Sequence, residues 1–451
     1  MTLRHSTIIR GPLLNPRSDD LMDWYPDGAI AADESGKISY VGDWDSIQAQ
    51  SAFAIVRKSD GVILPPLLDA HIHIPQFPIR GRFLEGVGAH PEGGRLLAGL
   101  NRNVFPTEAR CQDPGYTEQV IRDFLEDTLS KGVVGGAAYM TVHAEATRRA
   151  LEILPDTWSV GLVMMNQNCP ADLRTDEINF ERDITELARR FGRRLIVTDR
   201  FAPVVDSPLR RKASALAERF GLRMQTHLNE QLAEKEIVEK VMYPDAGSYT
   251  AVYRNDRLLD REPILAHCIW MSDSELDMVA AAPGALIAHC PTSNMLLGSG
   301  VMPLEKIIRA GIDYAICTDV GASPTTSLFA EAAQFLTAHA TATPEAALFR
   351  ITQAPAAALG LADRLGTFEV GKPLSFIEVD TDSISYVRHD VAARRESVRE
   401  AVRALADHGL DAGEQTDAIN RYVWNMARVF DAAVARVTIK GRAVWKRDQA
   451  S

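Results

Sequence analysis

Leu64 to Gly81 reads LPPLLDAHIHIPQFPIRG, and the rest of the chain is organised around its first half. A short apolar run at 62–68 leads into Asp69-Ala70-His71-Ile72-His73. Alternate side chains of a β-strand share a face, so His71 and His73 point the same way. Two imidazoles on one face at the C-terminal end of a strand make half of a metal site. An isolated H-x-H is more often a strand edge that happens to carry two histidines. The other half has to come from elsewhere in the chain.

Working outward, short apolar segments alternate with helical stretches from 67 to 366. Strands are expected at 62–68, 135–138, 160–165, 195–198, 224–227, 264–268, 285–289 and 314–318. Helical runs are expected at 117–130, 144–154, 178–191, 207–220, 273–282 and 304–310. Eight such alternations over roughly 300 residues predict an α/β fold, a TIM-like (β/α)8 barrel enlarged by loops. A doubly wound open sheet is the alternative on pattern alone. No G-x-G-x-x-G follows any strand, which weakens a dinucleotide-binding reading.

A barrel of this kind carries its functional groups at the C-terminal ends of its strands. Besides the first, four expected strand ends bear suitable residues. They are His227-Leu228-Asn229-Glu230, His267-Cys268, His289-Cys290-Pro291-Thr292-Ser293-Asn294 and Thr318-Asp319-Val320-Gly321. Each alone is weak, but five in barrel order are hard to ascribe to coincidence. His71, His73 and His227 supply neutral nitrogen and Asp319 supplies oxygen, with an open position left for water. Such a metal brings the pKa of its water to about 7. Asp319 can accept the proton that water gives up. Glu230, three residues past His227, is suited to carry a proton to substrate and leaving group. The run 230–236 reads as a helix, so a helix-start carboxylate is the plainer reading of Glu230. His267 can hydrogen-bond the attacking hydroxide.

The flanking segments are β-rich. Residues 6–11, 28–33 and 37–42 read as strands, with a hairpin turn at Asp33-Glu34-Ser35-Gly36. This N-terminal piece is too small to bury a core alone. After Gly366 the chain turns β again at 374–379 and 435–439, with helical segments at 397–406 and 417–430 between them. The expected division is therefore a barrel at 67–366 and a composite, β-sandwich-like domain from 1–66 and 367–451.

Composition narrows the function classes. The 451 residues are 46% hydrophobic and 24% charged, with net charge −11, an ordinary globular mix. No Lys/Arg-rich tract is present, against nucleic-acid binding. Cys111, Cys169, Cys268, Cys290 and Cys317 are odd in number and never closely paired, against a disulfide framework or a cysteine zinc finger. Nothing reads as a signal peptide or a membrane span, so a cytoplasmic protein without a membrane partner is expected.

The set His71-x-His73, His227-x-x-Glu230, His267 and Asp319 resembles the amidohydrolase superfamily, in its single-zinc deaminase and chlorohydrolase branch. The resemblance covers nearly the whole chain. Within the branch the chain is most similar to the guanine deaminases. The matching stretches are HIHIPQ from His71, NVFPTE from Asn103, MNQNCP from Met165, RFAP from Arg200, QTHLNE from Gln225 and HCPTSNMLLGSG from His289. The resemblance implies one zinc per chain, although iron or another divalent ion suits the same donors. It implies that Gln76 and Arg200 bind the purine edge and that Phe201 packs near the ring. An amide can face a ring N–H and carbonyl together, and a guanidinium suits a carbonyl or ring nitrogen.

The chain also departs from that pattern. Gly99 and Asn103 stand where the family carries a Trp and a Tyr, so a wall of the pocket is expected to be missing. Asn166-Gln167 replaces an Asp-Arg pair, and Ala322 follows Val320-Gly321 in place of a second Gly. Two other motifs are decoys. Gly366 to Lys372 has the G-x-x-x-x-G-K spacing of a phosphate loop, but Pro373 replaces the required Ser/Thr. His143-Ala144-Glu145 supplies an H-x-E, but no P-C-x-x-C exists to complete that deaminase class.

The expected function is hydrolytic deamination of an aminated N-heterocycle, guanine to xanthine and ammonia first, with a small-molecule heterocycle as the only partner besides a possible second copy of the chain. The rivals are an aminohydrolase or chlorohydrolase for a pterin, an 8-oxopurine or an s-triazine, and a metal-bound scaffold without turnover. Segment 81–110, rich in Gly and Pro, has the length of a lid or a homodimer contact.

Overall fold

The structure, a computed structural model, describes residues 5–59, 61–89, 91, 94–379 and 434–447. The expected helices at 397–406 and 417–430 lie outside the described residues. The chain opens with antiparallel strands β1 (Thr7–Pro16), β2 (Met22–Ala32) and β3 (Ile38–Asp43). The last two close on the expected turn, where Asp33 Oδ1 accepts from the backbone N and hydroxyl of Ser35. That is the turn-forming chemistry of a short acidic side chain. Two short strands follow, β4 (Ile55–Lys58) and β5 (Val62–Leu64), both parallel to β1.

The expected strand at 62–68 is two strands, a correction with a simple cause. Pro65 and Pro66 have no N–H to give to a ladder. The chain changes sheets there, and β6 (Leu67–His73) begins the barrel. It is followed by β7 (Val133–Tyr139), β8 (Trp158–Met164), β9 (Leu195–Asp199), β10 (Arg223–Leu228), β11 (Ile264–His267), β12 (Leu286–His289) and β13 (Asp313–Ile316). The eight lie in one sheet in chain order. The residues after β13 meet the end of β6, where Asp319 N donates to the His71 carbonyl at 2.9 Å and His73 N to that of Val320 at 2.8 Å. The fold is the expected (β/α)8 barrel.

Its helices fall close to the expected runs, at Pro114–Ser130, Ala144–Ile153, Phe180–Phe191, Ser207–Phe220, Asp273–Ala280 and Leu304–Arg309. Strands β6 and β7 approach so closely that a Cβ at Gly136 would stand 1.8 Å from the Asp69 carbonyl oxygen. Only glycine fits there.

Three strands complete the other sheet: β14 (Phe376–Val379), β15 (Val434–Ile439) and β16 (Arg442–Lys446). Its order is β16-β15-β14-β5-β1-β2-β3, so both ends of the chain build one sheet. Neighbours Ile8 and Ile9 bury in opposite directions, Ile9 with Ile30, Ile63, Phe368 and Phe376, and Ile8 with Ala29, Ala31 and Trp44. The C-terminal aromatics supply the core that the N-terminal piece lacks. The segment after Pro373 enters β14 and not a helix, which disposes of the phosphate-loop motif.

By contact the chain forms two compact units. One comprises residues 69–126 and 135–326 and holds every candidate site residue; the other comprises 1–68, 127–134 and 327–451. Among the described residues no helix is long and apolar enough to cross a membrane. None of the five cysteines is in a disulfide.

Candidate active site

The strand ends of the barrel bring His71, His73, His227 and Asp319 together, with one ligand atom from each lying within 4.8 Å of the others. Asp319 Oδ1 is 3.2 Å from both His71 Nε2 and His73 Nε2. His227 Nε2 is 3.3 Å from His73 Nε2. His227 Nδ1 meets the Arg200 carbonyl at 2.6 Å. A carbonyl only accepts, so Nδ1 carries the proton and Nε2 turns a lone pair to the cluster. A metal-binding histidine needs this arrangement.

Burial lowers the pKa of all three histidines, that of His73 to about 3, so they are held as neutral donors. Burial pushes Asp319 upward, but the facing His71 and His73 outweigh it and hold the carboxyl well below the usual range. Ser293 Oγ donates to Asp319 Oδ2 at 2.6 Å and leaves Oδ1 to the cluster. Neither ring nitrogen of the fully buried His71 makes a hydrogen bond, although Nε2 is within ion-pair distance of Asp319. Buried polar atoms without partners are rare. A divalent cation among three nitrogens and one carboxylate oxygen would give His71 Nε2 its partner, so the donor set fits a zinc-type metal.

Glu230 follows β10 and precedes the helix Leu232–Ile237, whose N-cap is Gln231. The helix therefore starts two residues later than the expected run, and Glu230 is not part of it. Its carboxyl is 2% exposed. Ser299 Oγ donates to its Oε1 at 3.0 Å, and His267 Nε2 lies 3.5 Å from its Oε2. Burial, helped by the charge of Asp319, raises the Glu230 pKa to about 8. A carboxyl of this kind holds a proton at neutral pH and can give it away. His267 Nδ1 lies 2.9 Å from Asn294 Oδ1, which turns Nε2 toward Glu230. His267 and Asp319 both take left-handed backbone, φ 71° and 53°, so strand alternation is broken where their side chains must converge.

A cavity opens over these groups. Its lining includes His73, His227, Glu230, His267 and Asp319 together with Gln76, Arg200 and Phe201, so all the candidate substrate contacts share one pocket with three of the four candidate metal ligands. Gln76 Nε2 donates to Glu108 Oε1 at 3.0 Å, and Arg200 Nη1 donates to the same oxygen at 2.5 Å. Tyr139 packs its ring against His71, His73 and His227 with centroids 4.9, 4.5 and 5.0 Å away.

The expected gap in the pocket wall is filled. Phe83, Leu96 and Leu100 line the cavity on that side. A Cβ at Gly99 would stand 2.5 Å from the Phe83 ring, so the missing side chain makes room for Phe83. Asn103 Nδ2 holds the Phe83 carbonyl at 2.8 Å. Within segment 81–110, the residues from Gly94 to Ala109 are helical. Asn166 and Gln167 do not line the cavity; they bond to Asp206 N and the Ala202 carbonyl and tether the loop that carries Arg200 and Phe201.

His289 is buried at the end of β12 and is not among the gathered ligand atoms. His143 is the N-cap residue of Ala144–Ile153 and lines a separate cavity. Glu108, Phe83, Ser293, Ser299 and Tyr139 carry no spacing signal. Glu108, Ser293 and Ser299 do lie inside the stretches quoted for the resemblance.

The protein family described as "Amidohydrolase family" matches residues 62–444. A protein of Deinococcus radiodurans named "Probable guanine deaminase" is 30% identical over 397 residues, covering 82% of this chain and 87% of the relative. Among solved structures, the guanine deaminase of E. coli superposes with a TM-score of 0.83 at 25% identity, covering 98% of this chain and 99% of the other. A guanine deaminase of C. acetobutylicum with guanine bound in its active site superposes with a TM-score of 0.79 at 23% identity, over 97% and 100% of the two chains, and shares the fold. The chain belongs to the amidohydrolase family, with guanine deaminases among its relatives.

Proposed function

We infer that the protein is a zinc-dependent aminohydrolase that converts guanine and water to xanthine and ammonia. The carrying observation is that a buried carboxyl with a raised pKa, Glu230, lines one cavity with His73, His227 and Asp319, which gather with His71, and with Gln76 and Arg200. The names of the relatives point to the same substrate.

When bound, a divalent metal held by His71, His73, His227 and Asp319 lowers the pKa of its water to about 7 and makes it a nucleophile at neutral pH. Gln76 and Arg200 hold the ring by its polar edge and Phe201 bounds its face. This places the carbon that bears the exocyclic amine toward the cluster. Glu230 delivers its proton to the ring nitrogen next to that carbon. Asp319 takes a proton from the attacking water, and His267 orients that water through Nε2. Glu230, now a carboxylate, takes the remaining proton of the former water as its oxygen becomes the ring carbonyl and gives that proton to the amine, which leaves as ammonia; the proton held by Asp319 returns to Glu230 and restores the starting state. The buried walls of the cavity keep these transfers out of bulk solvent.

We assign this chemistry to a barrel at 67–366 and read the enzyme as a cytoplasmic one of purine breakdown. The deciding experiment supplies metal-replete protein with guanine and follows ammonia and xanthine. Turnover establishes the substrate. Absence of turnover with one metal bound per chain moves the substrate to a pterin, an oxidised purine or a triazine.

A further inference from the structure

Glu108 is 1% exposed on the short helix Phe105–Ala109, and no step above uses it. Its Oε1 accepts from two residues that line the cavity, Gln76 at 3.0 Å and Arg200 at 2.5 Å. Two consequences follow from elementary chemistry. A carboxylate can only accept, so the Gln76 amide must turn its nitrogen to Glu108 and leave its carbonyl oxygen for other contacts. Arg200 is itself 3% exposed, and a buried guanidinium without a counter-charge would attract an anion strongly. Glu108 matches that charge inside the protein, and the Phe105 ring, 5.9 Å from the Arg200 guanidinium carbon, closes another side.

We propose that Glu108 is a positioning residue that sets the pocket's selectivity for a neutral lactam ring, with an N–H beside a carbonyl, over an anionic ring. This rests on the reading of Gln76 and Arg200 as the groups that hold the ring. The fixed Gln76 carbonyl accepts from the ring N–H. The neutralised Arg200 fork donates to a neutral carbonyl or ring nitrogen and gains little from a negative charge.

The test compares the metal-loaded wild type with Glu108→Gln and Glu108→Asp. Guanine kinetics are measured beside the binding of hypoxanthine, a neutral lactam, and of urate, an anion at neutral pH. Melting and metal content confirm that each variant is folded and loaded. In Glu108→Gln the charge is gone and the amide is released. KM for guanine should rise about tenfold or more, with kcat changed by less than about threefold. Hypoxanthine should bind more weakly and urate more tightly. Glu108→Asp keeps the charge at a shorter reach, so it should raise KM while retaining the wild-type preference for hypoxanthine over urate.

An unchanged hypoxanthine-to-urate ratio in Glu108→Gln overturns the proposal, and so does a loss that falls on kcat alone. If Glu108→Gln does not fold, an unchanged KM in Glu108→Asp overturns it instead. If wild type does not deaminate guanine, the substrate assignment fails. The two binding ratios still decide the role of Glu108.

Discussion

Asp69 and Thr318, 249 positions apart in the chain, are joined beside the candidate ligands His71 and Asp319: the Thr318 hydroxyl donates to Asp69 Oδ2 at 2.5 Å and its backbone N to Oδ1 at 3.2 Å. Asp69 also accepts from His71 N at 3.2 Å. One buried carboxylate therefore positions the residue before Asp319 and the backbone of His71, two of the four candidate ligands. Thr318→Val keeps the shape and removes one bond. It should fold and yet bind metal about 10- to 100-fold more weakly, as loss of a group that orients ligands does. Metal retained after dialysis against graded chelator measures this, and wild-type retention would refute it.

Glu230 is placed to move protons and does not touch the ligand atoms of the cluster. Glu230→Gln should keep its metal and lose about 100- to 10,000-fold in kcat, the usual contribution of a general acid–base. The pH profile gives an independent check. With its pKa raised to about 8, the carboxyl is protonated below that pH and loses its proton above it. Activity that needs the acid form should therefore fall as pH rises through that region. A wild-type profile without this alkaline limb would remove Glu230 from the acid role.

Gly136 admits no side chain, because a Cβ would lie 1.8 Å from the Asp69 carbonyl oxygen and 3.0 Å from its nitrogen. The obstacle is backbone of the neighbouring strand and cannot rotate away. Gly136→Ala should cost about 3 kcal/mol or more, in the range of severe core changes. Chemical denaturation reads the loss, and a change below about 1 kcal/mol would mean the strands can separate at small cost.

Glu275 anchors a polar knot beneath the Glu230 segment. It accepts from Asn229, Lys235, Ser272 and Thr250. Burial pushes its pKa upward, but Lys235 and these hydrogen bonds outweigh it and lower the value to about 2, from an ordinary 4.5. A depressed folded-state pKa contributes stability above the unfolded value, and that contribution is lost as pH falls from about 4.5 toward 2. Wild type should therefore be more stable than Glu275→Gln at neutral pH, with the gap closing through this acid window. A melting-temperature gap that stays constant with pH would contradict the assignment.

Much of the fold could be read locally. The alternation of strands and helices, each set by its own periodicity, predicts the barrel, and the helix at 207–220 agrees with its expectation at both ends. His71 and His73 share a face because a strand repeats every two residues. His227 and Asp319 follow from strand ends that the barrel must bring together. The boundary at Pro65-Pro66 is missed by a reading that runs one strand through 62–68, although proline withholds the N–H that a continuous strand needs.

The sequence by itself determined the alternation of strands and helices and placed four candidate donors at strand ends, because these depend on short-range periodicity, while closure of the sheet into a barrel was settled by the tertiary structure. Only the tertiary structure decided the rest. It joined Asp69 to Thr318, set Phe83 in the space over Gly99, and put one oxygen of Glu108 between Gln76 and Arg200. No spacing encodes these pairings. They form between side chains far apart in sequence, and they depend on which buried donor lacks an acceptor and which cavity lacks a side chain once the barrel has closed.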